Sequence, residues 1–133
     1  MKQIILTTIL ILAPLVLSAQ TLDRMTWFNE PESWTIENGN LTMDVTPQSD
    51  YWRISHYGFT VDEPFIYTTR GGEFEVKVKI SGEYKTRFDQ AGLMLRIDKE
   101  NYIKTGIEFV DGKYNLSTVV THTTSDWSVI ELD

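Results

Sequence analysis

The dominant pattern along the chain is alternation. Glu73-Phe74-Glu75-Val76-Lys77-Val78-Lys79-Ile80 alternates charge and hydrophobe without a break. That period of two predicts a strand with one buried and one wet face. Ala91–Asp98 places Leu93, Leu95 and Ile97 on one side, and Tyr102–Val110 places Ile103, Thr105, Ile107 and Phe109 on one side. Leu41, Met43 and Val45 make a shorter strand, and Trp52–Phe59 and Phe65–Thr69 weaker ones. No window carries a 3.6-residue apolar period. Turn signals recur at Asn38-Gly39, Gly71-Gly72, Ser81-Gly82 and Asp111-Gly112. Short strands separated by turns predict an all-β chain, an antiparallel sandwich or barrel.

The turns also predict register. Asp111-Gly112 suits a two-residue type I′ turn, which pairs Val110 with Lys113. Phe109 then faces Tyr114, Ile107 faces Leu116, and Thr105 faces Thr118. On the other face Glu108 meets Asn115, Gly106 meets Ser117, and Lys104 meets Val119. For the hairpin before it, a three-residue loop Lys99-Glu100-Asn101 sets Leu93, Leu95 and Ile97 against Ile107, Thr105 and Ile103. Arg96 would then oppose Lys104, and Met94 would oppose Gly106.

This register gathers Gly92, Met94, Arg96, Lys104, Gly106, Glu108, Asn115 and Ser117 on one polar face. Two readings stand. The face is a solvated exterior, or it is a ligand floor that the mid-strand glycines let a ligand or a backbone approach.

The N-terminus changes the picture of location. Lys2, an apolar stretch from Ile4 to Leu17, and the small residues Ser18 and Ala19 form the three-part pattern of a secretory signal peptide. Cleavage after Ala19 leaves a single domain, residues 20–133. It removes Lys2 and no acid, taking the formal charge from −7 to −8. The expected location is periplasmic or secreted, with no membrane contact after cleavage. Zero Cys excludes a disulfide scaffold, a Cys-based zinc site and a thiol nucleophile. The acidic balance argues against nucleic acid as a partner.

The stretch Phe88-Asp89-Gln90-Ala91-Gly92-Leu93-Met94-Leu95-Arg96 is followed by Asn101–Glu108, Asp111-Gly112 and Ser125-Asp126-Trp127-Ser128, with Tyr51-Trp52-Arg53 and His56-Tyr57-Gly58-Phe59 upstream. Together these residues resemble the regulation-of-enolase-like family, bacterial and fungal domains of unknown function. The resemblance covers most of residues 25–132. It implies a concanavalin A-like jelly roll of two packed antiparallel sheets, a fold that in other families binds or cleaves glycans on its concave sheet. Domains of that family run well past the Ser-Asp-Trp-Ser motif. This sequence ends six residues after Trp127, so the expectation is a fragment or a sandwich short of its last strands.

Catalysis has little support in the residues. Glu73 and Glu75 have the spacing of a glucanase acid ladder, but Lys77 breaks it, and Glu108 is the one acid on the proposed floor. A glycosidase needs two carboxylates roughly 5–10 Å apart. Asp89 reads as a cap for backbone amides in a turn. His56 and His122 have no metal-ligand spacing. No catalytic residue, metal or cofactor is assigned. Four Trp residues beside polar groups suit sugar stacking. The sequence reading is therefore an exported non-catalytic β-sandwich that binds a glycan. Its floor would be Arg96, Lys104, Glu108 and Asn115, with Trp52 and His56 at the rim. The alternatives are a glycan hydrolase whose further acids lie beyond this sequence, and a protein-interaction domain.

Overall fold

A computed structural model of the chain describes residues 22–45, 47–55 and 63–133. Their regular structure is antiparallel β-strand, apart from one 3-10 turn at Leu22–Arg24. The strands are β1 (Thr26–Phe28), β2 (Trp34–Glu37), β3 (Asn40–Met43), β4 (Phe65–Tyr67), β5 (Gln90–Arg96), β6 (Asn101–Val110), β7 (Lys113–His122) and β8 (Thr124–Glu131). β1 pairs with β4, β2 pairs with β3, and β5-β6-β7-β8 form a four-stranded meander. The expected signal segment and His56 lie outside the described residues. So does the second half of the expected strand Trp52–Phe59.

Turn chemistry sets the hairpins. Asn38 and Gly39 have φ of 51° and 77°, and Asp111 and Gly112 have 51° and 83°. Both central residues are left-handed in each turn, as type I′ requires. The β6–β7 register is the expected one, including Glu108 opposite Asn115 and Lys104 opposite Val119. The β5–β6 register differs by two residues: Leu95 pairs with Ile103, Met94 with Lys104, Gly92 with Gly106, and Arg96 with Tyr102. The Asp98 carboxylate accepts from the Glu100 amide (2.8 Å) and the Asn101 side chain (2.9 Å), closing the turn over Ile97–Glu100. Glu100's amide is the main reason that Asp98 is held below the usual carboxylate range. A two-residue shift leaves every side chain on its expected face. It does remove the expected Arg96–Lys104 opposition.

Which face lies inside is reversed. Lys104, Glu108, Asn115 and Ser117 are buried, while Leu95, Ile97, Ile103, Leu116, Val120 and Ile130 on the opposite face are exposed. The cause is what packs on the polar side. The Arg96 guanidinium lies 5.1 Å from the Phe28 ring centre on β1 and 5.4 Å from that of Phe65 on β4. The segment 50–55 is fastened to the same side. Tyr102 Oη donates to the Tyr51 carbonyl (2.6 Å), Arg53 N–H to Ser125 Oγ (2.9 Å), and Ser125 N–H to the Arg53 carbonyl (3.1 Å). An Arg53–Glu100 ion pair at 2.7 Å adds a further tie.

Two expected strands are corrected. Residues 51–55 form bends and a turn. The Asp50 carboxylate accepts from the Tyr51 and Trp52 amides and so competes with a ladder. Glu73–Ile80 pairs with no strand among the described residues, and all of it but Ile80 is exposed. Alternation makes a segment suited to a sheet, and a second strand edge is still needed to make the sheet. Asp89 caps as expected, accepting from the Lys85 (2.7 Å) and Thr86 (2.8 Å) amides.

Candidate functional site

The alternation of β6 and β7 puts Lys104, Gly106, Glu108, Asn115 and Ser117 on the polar face, which has a covered end and an open end. At the covered end Lys104 is 7% exposed. Its ammonium lies 5.6 Å from the Tyr51 ring centre. Burial pushes this lysine below its ordinary range, and the charges of Glu108, Asp50 and Glu63 oppose that shift. Burial, with Glu63 and Asp50 nearby, pushes the Tyr51 phenol well above its usual value. That phenol donates to the Pro64 carbonyl at 2.6 Å.

A cavity of about 10 Å³ lies here, lined by Tyr51, Gln90, Lys104, Ser117 and the two glycines among others. That is room for roughly one water molecule. The mid-strand glycines serve backbone approach. A Cβ on Gly106 would overlap the Ala91 carbonyl oxygen and Gly92 Cα, and a Cβ on Gly92 would overlap the Thr105 carbonyl.

The open end is organised by Trp127 on β8. Its indole N–H is shared between Glu108 Oε2 (3.0 Å) and Ser117 Oγ (3.1 Å). Phe88 meets the ring edge-on at 6.2 Å. The indole is thus fixed in orientation while the residue stays 37% exposed. Glu108, at 5% exposure, is spent holding it. Asn115 pairs with Glu131 across the β7–β8 ladder, and Lys113 Nζ binds the Glu131 carboxylate at 2.7 Å. A ring held in one orientation therefore shares the sheet face with an exposed ammonium and carboxylate at the end of that face, while Asn115 is buried and donates its amide to the Lys113 carbonyl at 3.1 Å.

Of the residues expected to form a site, Lys104, Glu108 and Asn115 share this face and are buried, where an exposed face was expected. Arg96 lies under Phe28 and Phe65, Trp52 donates its indole N–H to the Ser55 carbonyl, and His56 is outside the described residues. Sequence reasoning did not place Trp127, Lys113 or Glu131 together. Residues 124–131 mix polar and apolar positions without clean alternation, so β8 gave no strand signal from which to fix a face. Among the described residues no group of three or more His, Cys, Asp or Glu could hold a metal ion, and no helix is long and apolar enough to cross a membrane.

Comparison with known proteins places this geometry in context. A family described as "Protein of unknown function (DUF1349)" matches residues 27–133. The chain is 42% identical over 108 residues to Regulation of enolase protein 1 of Saccharomyces cerevisiae, covering 80% of this chain and 54% of that protein. It is 27% identical over 119 residues to an uncharacterised protein of Emericella nidulans, covering 85% and 56%. It also resembles the crystal structure of a functionally unknown Saccharomyces cerevisiae protein, with TM-score 0.71 and 36% identity over 84% of this chain and 60% of that one. The chain spans about half the length of these two curated relatives, both of which are fungal.

Proposed function

The chain belongs to the DUF1349 family of proteins of unknown function, and from that premise we propose that it is an exported, non-catalytic recognition module that binds a glycan at the open end of its polar sheet face. Its sheets form part of a concanavalin A-like jelly-roll sandwich, and residues 1–19 direct it to the periplasm or the exterior. One observation carries the reading: the part-exposed Trp127 ring is locked by Glu108 and Ser117 on the sheet face whose end carries the Lys113–Glu131 pair. An amphipathic ring held in one orientation can stack on a sugar, and the exposed ammonium and carboxylate further along the face can meet its hydroxyls. Catalysis is disfavoured because both carboxylates at this end are engaged, Glu108 by the indole and Glu131 by Lys113. The yeast relative's name refers to enolase regulation. That role is not carried across, since an exported chain would not meet cytosolic enolase.

Calorimetry against a panel of soluble glycans tests the proposal. At least one glycan should bind the chain. Trp127→Ala should abolish that binding, and Glu131→Ala, at an exposed position, should weaken it without lowering the melting temperature. Binding by neither chain nor variant, or binding indifferent to both substitutions, contradicts the assignment. Hydrolysis of a bound glycan would replace a binding module with an enzyme.

A further inference from the structure

Glu73–Ile80 has the cleanest alternation in the sequence, and no strand among the described residues pairs with it. Residues 74–85 contain no turn or bend, and among the described residues no strand pairs with residues 74–84, which leaves an edge that a second strand can meet. Phe74, Val76 and Val78 are 51%, 51% and 53% exposed. The Lys77 ammonium now touches the Glu75 carboxylate, but this pair is highly exposed and weakly held.

The order of the charges identifies a partner. Two acids lie on one side of Val76 and two bases on the other. When the segment runs antiparallel to itself about Val76, Glu75 falls opposite Lys77, Glu73 opposite Lys79, and Phe74 opposite Val78. The two-fold axis repeats each pair, giving four opposite-charge pairs on one face and an apolar stripe on the other. A one-residue slip sets charge against hydrophobe. A two-residue slip puts Lys77 opposite Lys77, or Glu75 opposite Glu75, at the centre. The pattern thus selects one register out of its neighbours.

We propose that Glu73–Lys79 is a self-recognition edge that pairs antiparallel with the same segment of a second copy of this chain. The contact is isologous β-augmentation. It does not depend on the glycan reading.

Sedimentation velocity on the full chain, from about 1 to 100 μM, tests it at concentrations where a specific dimer is populated. The chain should sediment as a dimer at the upper end. Glu75→Lys places like charges opposite each other at two sites and should weaken the dimer at least about tenfold. The double exchange Glu75→Lys/Lys77→Glu restores opposite charges and should restore the dimer. A monomer throughout the range overturns the proposal. A dimer untouched by Glu75→Lys, or not recovered by the double exchange, overturns it as well. These positions are exposed, so unchanged circular dichroism is expected of every variant.

Discussion

Val119 and Val120 are neighbours in β7, yet the first is 3% exposed and the second 47%. The difference belongs to the two faces of one sheet. Val119 shares its face with Lys104, Glu108, Asn115 and Ser117, which the segment 50–55 covers at one end and Trp127 at the other. Val120 shares its face with Ile103 and Leu116, both more than 40% exposed. Hydrophobicity says which residues share a face. What packs against the face decides whether it is inside. The polar face can be an interior because many of its groups find partners, as the Ser125 and Trp127 hydrogen bonds illustrate. On the apolar face Leu95, Ile103 and Val120 lie open in one cross-strand row and Leu116 and Ile130 in another, with the polar row Thr105–Thr118–Ser128 between them.

The largest expected effect comes from forcing β5 and β6 apart at their paired glycines. Gly106→Val would drive a side chain into the Ala91 carbonyl and Gly92. It should cost about 3 kcal/mol or more, a fall of roughly 10 °C in melting temperature, read by thermal denaturation.

A smaller effect sharpens the contrast through pH. Lys104 has its affinity for a proton lowered by burial in the folded state. Between its folded value and the ordinary lysine value of 10.5, the unfolded chain binds more protons, so stability should rise with pH in that window. Tyr51 acts in the opposite sense. Above its usual value near 10 the folded chain keeps a proton that the unfolded chain releases, so stability should fall there. Chemical denaturation from pH 7 to 11 should show the rise followed by the fall. Lys104→Met should remove the rising limb and leave the fall in place.

Much of the C-terminal sheet was legible in the sequence because its register is local. Asp111-Gly112 fixes β6 against β7, and alternation fixes the faces. The β5–β6 register was missed because the Asp98 side chain closes a turn over Ile97–Glu100, in place of the three-residue loop Lys99-Glu100-Asn101. The covered face was missed for a different reason. The contacts that cover it join residues far apart in the chain, such as Arg53 with Ser125 and Arg96 with Phe28, and no periodicity encodes them. The site was half legible: Glu108 and Asn115 were found from their face, whereas Trp127 needed β8. Glu73–Ile80 shows the same limit, since perfect alternation announces a strand and leaves its partner unstated.

Thiol labelling tests the reversal of faces most directly. The chain has no Cys, so a single introduced thiol reports alone. Val119→Cys and Val120→Cys differ by one position and by face. The account predicts that the thiol at 120 reacts readily in the native protein and the thiol at 119 at least roughly a hundredfold more slowly, through opening of the covering layer. Equal rates, or faster reaction at 119, would contradict it.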